Sequence, residues 1–137
     1  MKYRLSTHLL GVVLLATLVW AIFLREPGLG DDFTYWSFAF ELHERGVKEA
    51  WSQYSFHNLR WPVWGVSWLL QAIFGAGLFA YYGVPLIYLS AGALLAFTFG
   101  RLITGSLGLS WAAAIAFLFH PLLDTVAHRP MPDLSEG

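Results

Sequence analysis

Apolar residues fall into long blocks along this chain, and polar residues collect between them. The run Leu9 to Leu24 covers roughly 24 Å as a helix, and extension back to Leu5 brings it to about 30 Å, the thickness of a hydrocarbon core. It predicts a first span, with Lys2 and Arg4 holding the N-terminus in the cytoplasm. A cleaved signal peptide is the alternative, but no small-residue cleavage site follows, Val19-Trp20-Ala21 being a poor substitute. Residues 25–60 are the most polar part of the chain. Pro62 to Ala80 is apolar again but interrupted by Gln71, Gly75 and Gly77, and it reads either as a span or as a helix lying along the membrane surface. Tyr81 to Gly100 predicts a second span closed by Arg101, residues 102–108 a turn, and Leu109 to Leu123 a further, shorter span. Residues 124–137 form a polar tail.

Within the polar block, Gly30 to Gly46 predicts a short amphipathic helix. Asp31 or Asp32 can cap it, because a side-chain oxygen satisfies orphan N–H groups and negative charge suits the positive end of the helix dipole. Phe33, Trp36, Phe40 and Val47 recur at helical spacing as its apolar face, with Glu41, Glu44, Arg45 and Lys48 mostly elsewhere around the wheel. Gly46 is the expected stop.

Composition supports the membrane pattern. Hydrophobic residues make up 57% of the chain and charged ones 12%, against about 25% charge in soluble domains. Four of the seven tryptophans, Trp51, Trp61, Trp64 and Trp68, crowd into one stretch, as expected of chain at the headgroup level. A net charge of -1 points away from nucleic acid, and the absence of cysteine rules out disulfides and thiolate metal sites.

Parity decides the architecture. All acidic residues lie in two groups, Glu26 to Glu49 and Asp124 to Glu136. Three spans (9–24, 81–100 and 109–123) put both groups on the outer face and Arg101 with Lys2 and Arg4 in the cytoplasm, as the positive-inside rule prefers. Four spans would separate the two groups. The expectation is therefore an all-α, multi-pass integral membrane protein of the inner or plasma membrane. It has about three transmembrane helices and amphipathic juxtamembrane helices in an outer loop at 25–80.

Three spans bring Asp31, Asp32 and Asp133 to one face. Carboxylates suit a divalent cation such as Mg²⁺ or Mn²⁺, and one of them can instead act as general base toward a hydroxyl. Arg60 and Arg129 lie near the two acidic sites, and guanidinium groups bind phosphate in bidentate fashion. His57 is a candidate polar contact or metal ligand. Each residue also has a plain structural reading: helix cap for the acidic pair, turn residue for Asp133, interfacial anchor for the tryptophans.

The order of these motifs resembles the N-terminal part of a GT-C fold glycosyltransferase that uses a polyprenyl-phosphate-linked sugar, of the protein O-mannosyltransferase and aminoarabinose transferase group. The matching residues are Asp31-Asp32, Tyr35, Ala39 and Gly46 after a first span. They continue with a juxtamembrane helix from Trp61-Pro62 to Phe74-Gly75, and then, after two spans, Arg129 followed by Asp133. The family commonly carries Asp-Glu where this chain has Asp31-Asp32, and two prolines where it has Trp61-Pro62. The resemblance implies Asp31 as catalytic base and Asp32 as its neighbour or a metal contact. It implies Asp133 as a metal or phosphate contact and Arg129 as a phosphate contact; Arg60, Tyr35 and His57 are further candidate substrate-binding residues. It further implies that the 137 residues are a fragment, inactive alone, that joins a missing C-terminal part or a larger membrane partner. A small non-catalytic membrane protein that packs against such a partner is the alternative.

Overall fold

The computed structural model describes residues 2–24, 26–27, 30–53 and 60–121, omitting the side chains of 2–4 and 53. All its regular elements are helices: α1 (Lys2–Ile22), α2 (Asp31–Glu44), α3 (Val47–Gln53), α4 (Trp61–Phe74), α5 (Leu78–Thr104) and α6 (Leu107–Leu118). They form two compact units. One holds α1, α5 from Leu86 onward, and α6; the other holds α2, α3, α4 and α5 up to Pro85.

In the first unit, Val12, Ala16 and Val19 form the inner face of α1, while Leu10, Leu14, Leu18 and Ile22 recur every fourth residue on the outside. The outer face of α5 is similar, with Leu95, Phe99, Leu102 and Ile103 all exposed. Rows of large apolar side chains on that scale are costly in water and suit lipid. Two helices, Leu5–Ile22 within α1 and the whole of α5, are long and apolar enough to cross a membrane. The predicted spans 9–24 and 81–100 lie on them but are shorter or shifted by a turn or less. Helix α6 covers about 18 Å in the described residues, short of the roughly 30 Å hydrocarbon core.

Small residues let these helices approach. Gly92 receives the ring of Phe117, so close that a Cβ there would meet Cζ at 2.2 Å. A Cβ on Gly100 would meet the Ser110 backbone Cα at 3.0 Å. Trp111 connects the unit: its ring abuts Gly11, packs edge-on to Phe97 at 5.6 Å, and its N–H donates to His8 Nδ1 at 3.4 Å. The turn after α5 is tighter than the predicted 102–108. Gly105 takes φ +64, Arg101 donates to its carbonyl, and Ser106 caps α6 by accepting from the Leu109 N–H.

In the second unit α2 packs on α4, and here two expectations fail. The buried face of α2 is Asp32, Tyr35, Phe38 and Ala39. Phe33, Trp36 and Phe40 instead form an outer ladder of stacked rings, with centroids 5.7 and 6.0 Å apart, and Val47 belongs to α3. Both faces are aromatic, so apolar spacing alone does not select the inner one; the polar partners of Asp32 and Tyr35 do. The acidic pair also does not cap α2. Gly30 is the N-cap and its carbonyl accepts from the Phe33 and Thr34 N–H groups, while Asp31 and Asp32 occupy the first turn near the positive dipole end. Gly46, at φ +82, ends the helix as expected.

Helix α4 starts at Trp61-Pro62 and stops at Gly75, φ +81, where the left-handed backbone favours glycine. Its extent is about 21 Å. Gln71 clamps it to α2, donating from Nε2 to the Trp36 carbonyl at 3.0 Å and to Ser67 Oγ at 3.2 Å. At the other end of α2 the His43 ring stacks on Trp68 and its Nε2 bonds the Trp68 carbonyl at 3.0 Å. Phe38, Trp51 and Trp64 meet edge to face and tie α3 to the pair.

Candidate functional site

The two carboxylates of the acidic pair occupy opposite environments because they are one residue apart on a helix that is covered on one side. Asp31 is exposed. Asp32 is 1% exposed, and its Oδ2 accepts a hydrogen bond from the Tyr81 hydroxyl on the first turn of α5. Its Oδ1 lies against Gly30, where a Cβ would approach within 3.2 Å. A buried carboxylate is costly unless it is hydrogen-bonded, and the phenol together with the positive end of α2 supplies that compensation.

Tyr35 lies one turn further along the same face and is wholly buried. Its phenolic oxygen accepts from Arg60 Nη1 at 2.9 Å, across the start of α4. Three residues selected from the sequence, Asp32, Tyr35 and Arg60, are therefore gathered in one unit, with two phenols, one carboxylate and one guanidinium along one edge of α2. Chemically this edge offers a fixed carboxylate, an accessible one beside it, and a cation held by a phenol. His57, Arg129 and Asp133 lie outside the described residues. Among the described residues no three His, Cys, Asp or Glu side chains converge as a metal site.

Tyr81 is the functional-looking residue that sequence reasoning missed. It reads as the first residue of a span, and its only signal is a phenol pair, Tyr81-Tyr82, where a span begins. It also forms a wall of a cavity of about 350 Å³, with Pro27, Phe33, Trp36, Gly77 and Leu78 around it.

The described residues are thus helical, with two helices long and apolar enough to cross a membrane and a buried, phenol-bound carboxylate. No protein-family model, no curated protein and no solved structure matches the chain.

Proposed function

We propose that the chain is part of a membrane glycosyltransferase that moves a sugar from a polyprenyl-phosphate carrier to an acceptor hydroxyl at the outer membrane face. The observation that carries this is the division of the acidic pair: Asp32 is buried and held by Tyr81, while Asp31 is exposed. Two adjacent carboxylates in unlike surroundings take unlike roles. Asp31 accepts the proton of the acceptor hydroxyl; the oxygen attacks the anomeric carbon; the carbon–oxygen bond to the polyprenyl phosphate breaks on the opposite side, inverting the configuration. Asp32, already bonded, fixes the first turn of α2 that carries Asp31. Arg60, positioned by Tyr35, lies within the same unit as a contact for the leaving phosphate.

The order of elements adds support: a spanning-length helix, the acidic pair opening α2, a Pro-led α4 ending at Phe74-Gly75, and then α5 and α6. A three-span layout would put α2, α3, α4 and residues 124–137 on the outer face, and Arg129 and Asp133 would then be available to the same site. A divalent cation held by Asp32 and Asp133 would neutralise phosphate charge, though no three metal ligands converge among the described residues. The test is transfer of labelled sugar from a polyprenyl-phosphate donor by membranes that carry the protein with any partner chain. Asp31→Asn should abolish transfer while Glu44→Gln, exposed at the far end of α2, leaves it intact. Normal transfer by Asp31→Asn would refute the assignment and leave the chain as a non-catalytic packing subunit.

A further inference from the structure

Helix α5 belongs to both compact units, and the division falls between Pro85 and Leu86. Pro85 is the proline inside this helix. It has no N–H to give the Tyr81 carbonyl one turn back, and its ring crowds that carbonyl, so the helical ladder is interrupted at the division.

The side chains that hold α5 divide at the same point. Before the proline, Tyr81 donates to Asp32 of α2. Leu70 of α4 packs on Gly83, where a Cβ would meet its Cδ1 at 2.9 Å. After the proline, Phe117 packs on Gly92, Trp111 on Phe97, and the α6 backbone at Ser110 on Gly100. The start of α5 is thus tied to the helices that carry and flank the acidic pair, and the rest of it to α6.

An interrupted ladder between two separately anchored lengths of helix is the construction of a hinge. We propose that α5 bends at Pro85, swinging the unit that bears Asp31 and Asp32 against the unit that holds α1 and α6. This motion does not depend on transfer chemistry. Ile103 lies about 27 Å along α5 from Pro85, so a change of bend of about 20° displaces it by about 9 Å relative to α2 and α4.

The chain has no cysteine, so pairs of nitroxide spin labels can be placed directly. Lys48→Cys with Ile103→Cys reports across Pro85. Lys48→Cys with Phe79→Cys reports within one unit, and Leu14→Cys with Ile103→Cys within the other; all four positions are exposed. Double electron–electron resonance on the full chain in nanodiscs should give a distance distribution across Pro85 at least twice as broad as either within-unit one. Pro85→Ala should narrow it at least twofold and leave the other two unchanged. A distribution across Pro85 no broader than those within the units, or one that keeps its width in Pro85→Ala, overturns the proposal. Pro85 is fully buried, so Pro85→Val, which restores the N–H at similar volume, replaces the alanine variant if that fails to fold. The comparison across and within units needs neither variant.

Discussion

Tyr81→Phe removes one oxygen and leaves the ring in place as a cavity wall. The lost bond runs to a carboxylate that is 1% exposed, so water cannot replace it without opening the α2 edge. Hydrogen bonds to charged groups contribute about 1.5–3 kcal/mol, and at about 1.4 kcal/mol per tenfold the folding equilibrium should fall roughly 10- to 100-fold. The partner substitution Asp32→Ala removes the carboxylate that accepts from the phenol. In the double variant Tyr81→Phe should then cost little, giving a coupling of about 1–3 kcal/mol, the size measured for directly bonded pairs. Urea unfolding in detergent micelles, followed by circular dichroism, measures all four proteins; the midpoint should shift at constant slope. A Tyr81→Phe midpoint equal to that of the unaltered protein, or additive effects in the cycle, would refute the claim that this phenol holds Asp32.

Three further outcomes follow from the packing. Gly100→Ala places a methyl 3.0 Å from the Ser110 Cα, a backbone atom that cannot rotate away; the overpacking should cost about 1–3 kcal/mol in the same unfolding assay. Gly92→Ala meets the end of the Phe117 side chain instead, so Phe117→Ala in the same chain should rescue part of its loss. Gln71→Glu loses the donor to the Trp36 carbonyl and Ser67 and buries a charge beside that carbonyl; stability should drop by several kcal/mol, with Gln71→Met far milder, and near-equal midpoints for the two would contradict the clamp.

Much of the helix layout was legible. Long apolar runs are a direct solvent-transfer signal, and they locate α1 and α5; Gly46 and Gly75 end α2 and α4 because only glycine takes their left-handed backbone cheaply. The inner face of α2 was not legible. Phe33, Trp36 and Phe40 satisfy helical periodicity as well as Tyr35, Phe38 and Ala39 do, and the choice between them is made by Gln71, Arg60 and Tyr81, which lie far along the chain. For the same reason Asp31 and Asp32, equivalent in the sequence, separate into an exposed and a buried carboxylate only once α5 supplies a phenol. The cap is decided locally: Gly30, lacking a side chain, gives its carbonyl to the first turn and leaves both acids inside the helix.

The proposed function requires residues 48 and 135 to be accessible from outside the cell and residue 104 not to be. Since the chain has no cysteine, Lys48→Cys, Thr104→Cys and Ser135→Cys, made singly, can be labelled in intact cells with a membrane-impermeant thiol reagent. Labelling at 48 and 135 but not at 104 is the predicted result. Labelling at 48 without 135 would put the two acidic groups on opposite sides of the membrane and contradict a shared site.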